Sequence, residues 1–147
     1  MSSPSSTPGP ELLDERSFGG VFVHFLGLLT GFLGPAVVYA VSDHEFTRAN
    51  ARQALNWHIT VFVLSIVAVP TFFLGADTIT VAGEPRELSL LPAPLDTVFG
   101  IVGAVLLILT AIAMLLTFVY AIVATVKAIF GSVWEYPGSV AVIERLQ

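Results

Sequence analysis

Polar side chains are scarce in this chain, so any chemistry must come from the few that stand inside apolar sequence. His24, His44 and His58 are its three histidines, and Arg48, Arg52, Gln53 and Asn56 gather in one stretch, FTRANARQALNWHIT, from Phe46 to Thr60. A nucleophilic triad would need a serine, a histidine and an acid at one depth, whereas the three histidines fall at different heights along the expected helices. His44, between Asp43 and Glu45, reads as a solvated helix start. No glycine-rich phosphate loop follows a strand, and neither His-x-x-x-His nor paired-carboxylate spacing occurs. There is no cysteine, which removes disulfides, thiolate metal sites and cysteine nucleophiles. The expectation is therefore a protein that is not an enzyme, with no catalytic residue, cofactor or metal.

The cluster makes sense once it is placed on a helix. Ser42 followed by Glu45 matches a capping box, which starts a helix near Asp43. Arg48, Arg52, Asn56 and Thr60 then recur at i+4 and form one polar stripe that fades as the sequence becomes apolar. One reading is an interfacial ramp, with arginines among headgroups and Trp57 as amphipathic anchor. The other makes Arg52, Gln53, Asn56 and His58 a polar site facing a partner helix or a substrate path.

The rest of the composition points to a bilayer. With 55% hydrophobic residues and a mean hydropathy of +0.86 in 147 residues, the chain is too apolar for an ordinary soluble domain. Its net charge of −5, from 11 acidic against 6 basic residues, argues against nucleic acid as a partner. An acidic surface with Lys127 as its lone lysine also suits a very salty cell interior.

Three apolar runs must position the cluster, and they predict an all-α membrane protein with three transmembrane helices. Residues 1–17, rich in serine, proline and then acids and without apolar periodicity, are expected to form a disordered polar tail. Residues 18–142 form a single membrane domain with helices over about 18–41, 43–74 and 97–130, and 143–147 close the chain as a short tail. The first run carries no charge and would span roughly 36 Å if helical, enough for a tilted crossing kinked or broken at Gly34-Pro35. His24 lies there on a stripe with Gly27, Gly31 and Gly34. Its expected role is a neutral imidazole bonded to a neighbouring helix, rather than a proton carrier or ligand. The second run tolerates Pro70 one turn from its end.

Between the second and third runs, residues 75–96 form a polar loop. Thr78–Val81 and Arg86–Leu91 can pair there as a short hairpin about a Gly83-Glu-Pro85 turn, and Asp96 is the N-cap of the third run. That run, about 51 Å long as a helix, carries a seam of mostly small residues from Gly100 and Gly103 through Thr110, Met114, Ala121 and Ala124 to Ala128. Met114 is expected to fill a gap in that seam. Gly131 stops the helix, and Trp134, Tyr136 and Pro137 read as an interfacial aromatic patch.

Three crossings put Arg48, Arg52, Lys127 and Arg145 on one side and Arg16 and Arg86 on the other. The positive-inside rule then makes the first connector (42–56) and the C-terminus cytoplasmic and the N-terminus external.

Several stretches together carry a family resemblance: VHFLGLLTGFLGPAVVYAV, the short acidic connector, FTRANARQALNWHIT, and a long helix closing on KAIFGSVWEYPGSV. In these the chain resembles a widespread family of small prokaryotic membrane proteins of unknown function, distantly similar to the Tic-type multi-helix component of the chloroplast import translocon. Ala51-Arg-Gln-Ala-Leu-Asn-Trp57 matches the A-x-x-A-L-N-F/W signature of that family, with Gly34-Pro35 and Tyr136-Pro137 as secondary marks. The resemblance implies a membrane location and a helical fold.

Two functions remain in view. One is a structural or assembly component whose glycine and alanine seams pack its own helices and a membrane-protein partner or a second copy. The other is a small transport or translocon-like element, with Arg52, Asn56, Thr60 and His24 lining a polar path. The bilayer itself is the partner common to both.

Overall fold

A computed structural model describes residues 16–145, so most of the stretch expected to be a polar tail, and Leu146 and Gln147, lie outside the described residues. In chain order the elements are α1 (Phe18–Thr30), α2 (Leu33–Val41), α3 (Glu45–Leu74), β1 (Thr78–Val81), β2 (Glu84–Glu87), α4 (Leu95–Ile129) and α5 (Val142–Arg145). They divide into two units, one of Met1–Ile59 with Thr117–Gln147 and the other of Thr60–Leu116.

In the first unit the apolar run at the N-terminus does not cross as one rod. Ser17, with extended backbone, caps α1 by accepting from the Gly20 amide at 3.1 Å. The helix ends at Gly31, whose φ of 62° and ψ of −135° suit glycine and strain any residue with a Cβ. The chain then doubles back. Thr30 Oγ1 donates to the Leu26 carbonyl at 2.7 Å and accepts from the Gly34 amide at 3.0 Å. A Cβ on Gly34 would strike Thr30 Oγ1 and the Leu26 side chain, although in a straight helix Leu26 and Gly34 would lie about 12 Å apart.

The expected break at Gly34-Pro35 is therefore displaced to Gly31-Phe32. Pro35 sits in the first turn of α2, where its missing N–H costs nothing, so it starts a helix and does not stop one. At 13 and 9 residues, α1 and α2 would be roughly 20 and 14 Å long, and neither spans a hydrocarbon layer of about 30 Å.

The start of α1 lies beside the start of α3 and the end of α4. Ser17 Oγ hydrogen-bonds Thr47 Oγ1, Phe46 packs on Gly20, and the Arg16 guanidinium donates to the Ile129 carbonyl. The first run is therefore not the single helix expected over 18–41, and residue 17 lies beside the first connector rather than opposite it. The first run leaves and returns at one end, as a helical hairpin.

At the head of α3 the expected capping box is not formed. Ser42 Oγ accepts from the His44 amide at 3.3 Å, and His44, whose carbonyl takes the Arg48 amide at 3.0 Å, precedes the first helical residue. α3 then continues for 30 residues and α4 for 35, roughly 45 and 52 Å. Asp96 and Lys127 stand in the first and last turns of α4, each with the sign the helix dipole favours. Asp96 is thus a first-turn residue rather than the N-cap, its Oδ1 accepting from the Thr97 amide. α4 ends in a Schellman closure, with the Ser132 amide on the Lys127 carbonyl, the Gly131 amide on the Ala128 carbonyl, both at 3.0 Å, and Gly131 at φ 79°.

In the second unit, the end of α3 meets the start of α4 backbone to backbone. A Cβ on Gly75 would strike the Gly100 main chain, and one on Gly103 would strike the main chain of Phe72. Glycine is required at this crossing because the helices approach closer than side chains allow. Of the remaining α4 seam, Thr110, Ala121, Ala124 and Ala128 are buried, whereas Met114 is 50% exposed and fills no gap.

The loop folds as the antiparallel hairpin β1-β2, with Val81 opposite Glu84 and Thr80 opposite Pro85. Its turn is Ala82-Gly83, at φ 52° and 85°, and not the expected Gly83-Glu-Pro85. Pro85 fits inside the strand because its ring occupies a position where an N–H would point away from the partner.

Only 17% of the most apolar window of α3 and 11% of that of α4 is buried, so Phe, Val, Ile and Leu side chains cover their outer faces. Among the described residues two helices are long and apolar enough to cross a membrane, and their exposed apolar faces suit an apolar solvent. Gly103→Ala is expected to destabilise the protein by about 1–3 kcal/mol through the clash with Phe72. A lower midpoint of the helical circular-dichroism melt in detergent would report it, and an unchanged midpoint would refute the close crossing.

Candidate functional site

The head of α3 carries polar residues around its whole circumference, and each face meets a different segment of the first unit. Residues 50, 54 and 58 form the face toward α1, while 48, 52 and 56 lie two residues, about 200°, away. The rule that buries one stripe and solvates the other therefore does not apply here.

On the α1 face, His24 and Asn50 are each 0% exposed. The Asn50 Nδ2 donates to the Phe46 carbonyl at 3.0 Å, which leaves its Oδ1 as an acceptor 3.1 Å from His24 Nε2. His24 therefore carries its proton on Nε2, and the bare Nδ1 accepts from the Tyr136 hydroxyl at 2.8 Å. The result is a closed chain, Tyr136 to His24 to Asn50 to the Phe46 carbonyl, that joins the segment after α4 to α1 and α3. About two turns further along α3, His58 Nδ1 donates to the Ala54 carbonyl at 2.8 Å, and its ring edge lies where a Cβ on Gly27 would be, 2.5 Å from Cε1. Gly27 is thus packed against an imidazole, whereas a Cβ on Gly31 would meet nothing within 4 Å.

The opposite face holds the end of the chain. Asn56 Oδ1 accepts the Ile143 amide at 3.1 Å, and its Nδ2 donates to Glu144 Oε2 at 2.9 Å. Arg52 Nε lies 3.3 Å from Glu144 Oε1, an ion pair without hydrogen-bond alignment. Residues expected to be a short tail are, over 143–145, part of the site. Gln53, 6% exposed, lines a cleft of about 540 Å³ with Asn56, Tyr136, Ser139 and Glu144. Arg48 faces α2 instead, its guanidinium 4.9 Å above the Tyr39 ring.

The third face is aromatic. Trp57 Nε1 donates to Thr117 Oγ1 at 2.9 Å, and its ring meets Tyr120 and Tyr136, with centroids 4.7 and 6.0 Å away. Tyr120 stacks on Tyr136 at 5.5 Å, and Trp134 stands edge-on to both. Of the aromatic patch expected at the interface, Tyr136 is buried together with Trp57, whereas Trp134 is half-buried and Pro137 exposed.

The sequence reading named His24, Arg52, Gln53, Asn56 and His58 but missed Asn50, Tyr136 and Glu144. For Asn50 a signal existed, since Asn50, Ala54 and His58 also recur at i+4. For Tyr136 and Glu144 none did, because their partners lie 112 and 88 residues away.

Burial pushes the Tyr136 phenol above its usual range, so it stays a neutral donor to His24. For Glu144, burial acts upward. The Asn56 hydrogen bond, its own backbone amide and the Arg52 charge outweigh that and hold the carboxyl below the usual range. A depressed folded-state value contributes docking free energy above the unfolded carboxyl range and loses it as pH falls through the folded value. A spin label on Val142→Cys, in a chain without other cysteines, should therefore gain mobility on acidification below that range; constant mobility would contradict the pairing. Tyr136→Phe leaves His24 Nδ1 buried without a donor and should cost about 1–3 kcal/mol in detergent melts. A neutral effect would show that the hydroxyl does not join these segments.

The chain matches the model of the MamF/MmsF family, described as the magnetosome magnetite crystal formation protein family, over residues 15–143. No curated protein and no solved structure matches it. The match takes in α1 to α4, the polar head of α3 and the segment through Tyr136 that closes on His24, and the chain belongs to the MamF/MmsF family of membrane proteins.

Proposed function

We propose that this protein is a non-enzymatic assembly component of a membrane, a rigid helical body whose work is to hold itself and its neighbours in place. The observation that carries this reading is the pairing of His24 and Asn56 with groups of the same chain, while His58 Nε2, Arg52 Nε and Thr125 Oγ1 are buried without an aligned hydrogen bond. His24 is satisfied on both nitrogens, and Asn56 is engaged at both ends of its amide. A path for a solute or proton needs such groups turned toward water or substrate. The Tyr136–His24 chain ends on an amide and a backbone carbonyl, which do not relay protons. The family description, magnetite crystal formation, supports a part in organising the membrane around a growing crystal.

The arrangement that fits this role has two crossings, α3 and α4, and a re-entrant hairpin, α1-α2. Arg16, Arg48, Arg52, Lys127 and Arg145 then share one side of the bilayer, and Arg86 stands alone on the other with the β-hairpin. That asymmetry makes the end bearing the polar head of α3 cytoplasmic, together with both chain ends. Single cysteines at 17, 48 and 132 should be labelled from the same face of a sealed vesicle, and one at 86 from the opposite face. Labelling of 17 and 48 from different faces would sink the re-entrant arrangement. The competing translocon-like reading predicts solute or ion flux through reconstituted vesicles that Asn56→Leu abolishes. Finding such flux would replace the assembly role.

A further inference from the structure

On one face of the head of α3, Glu45, Arg48, Ala49 and Arg52 recur at i, i+3, i+4 and i+7, the spacing that usually buries an apolar stripe. Here the row is charged. With Tyr39 of α2 and Asp43 of the connector it lines a cleft of about 320 Å³, the size of a small-molecule site. Ala49 has no side chain beyond Cβ and keeps the middle of the row open. The two acids of the cleft do not neutralise its two arginines. Arg48 lies over the Tyr39 ring, Arg52 faces Glu144 outside the cleft, and among the described residues neither Asp43 nor Glu45 enters a salt bridge. Opposite charges thus line one cleft while remaining available to a ligand that carries both signs.

We infer that this cleft binds the headgroup of a phosphatidylethanolamine, with its phosphate at Arg48 and Arg52 and its ammonium at Asp43 and Glu45. Guanidinium groups match phosphate oxygens in a fork geometry, and the two carboxylates repel a headgroup that is only negative. A primary ammonium donates hydrogen bonds to those carboxylates. A quaternary ammonium donates none and would seek the face of an aromatic ring, but the Tyr39 ring already carries Arg48. The same segment also suits acyl chains: Val41, between Tyr39 and Asp43 in the chain, is 73% exposed, and Val37 one turn before it 60%. In the two-crossing arrangement the head of α3 lies at headgroup depth. The inference rests on that arrangement for its depth, and the cysteine labelling described above tests the arrangement independently.

The test is retention of lipid. Delipidated protein in maltoside micelles is offered phosphatidylethanolamine, phosphatidylcholine or phosphatidylglycerol of identical acyl chains, and bound lipid is counted by native mass spectrometry. Phosphatidylethanolamine should be held about tenfold more tightly than either of the others, the factor that one charge-assisted hydrogen bond supplies. Asp43→Asn/Glu45→Gln should bring phosphatidylethanolamine down to the level of phosphatidylcholine, and Arg48→Gln should weaken retention of all three. These side chains are exposed, so the helical melt in detergent should stay unchanged and assign the losses to the cleft. Equal retention of phosphatidylethanolamine and phosphatidylcholine by the wild type would overturn the site, as would a preference that survives Asp43→Asn/Glu45→Gln. Glycerophosphoethanolamine, the same headgroup without acyl chains, should not displace the lipid at equal concentration. Displacement would give the cleft to a soluble phosphoester and overturn the lipid assignment. Loss of the preference with the labelling pattern intact would strike the site alone.

Discussion

The arrangement of the first unit depends on three side chains that cannot be solvated where they lie. His24 and Asn50 have no access to solvent, and Tyr136 almost none. In an apolar surrounding, each polar group left unpaired costs several times what it gains when paired. Two of these groups come from short or irregular segments, α1 and the stretch after α4, that have too little apolar area or length to hold position alone. The hydrogen bonds therefore act less as a source of net stability than as an address: this docking of α1 and of residue 136 against α3 pairs His24, Asn50 and Tyr136 together, while His58 Nε2 on the same face stays without a hydrogen bond. Trp57 and its aromatic neighbours fill the space around that joint, and Arg52, Asn56 and Glu144 repeat the logic at the rim, where the cost of an error is smaller because water can reach it.

Membrane location, helical content and the two long helices were legible because each rests on local composition: an apolar run of sufficient length has one solution in lipid. The glycines at 100 and 103 were legible for the same reason, as small residues on a helical repeat. The illegible part depends on how segments distant in the chain meet. Asn50 stands in a stretch that reads as an amphipathic slope, where its i+4 repeat with Ala54 and His58 is overshadowed by the more polar stripe of Arg48, Arg52 and Asn56. Tyr136 sits beside a tryptophan and a proline, a setting that in most membrane chains lies at the headgroups. Glu144 is an acid close to the chain end, which by composition alone is a solvated tail. Each acquires its role from a partner on another element.

The first apolar run shows a different failure. Its length and lack of charge favour a crossing, and Gly34-Pro35 looks like the natural place to bend. The bend occurs instead at the glycine that can adopt a positive φ, because proline near a helix start is compatible with helix and glycine at a helix end is what terminates one. Thr30 then stitches the two pieces by bonding forward and backward at once. Counting apolar residues cannot distinguish this hairpin from a rod.

A single backbone torsion thereby decides a parity. In the proposed arrangement, with φ of Gly31 positive, the run α1-α2 contributes no traverse, and Ser17 and the segment after α4 face the same compartment. If residue 31 continued the helix, the same side chains would make one traverse, the number of passages would become odd, and whatever precedes Ser17 would be delivered to the other compartment. A Cβ on residue 31 would meet nothing within 4 Å, so torsional preference, and no steric neighbour, is what asks for glycine at this position, while Thr30, bonded to the Leu26 carbonyl and the Gly34 amide, holds the bend from its two sides.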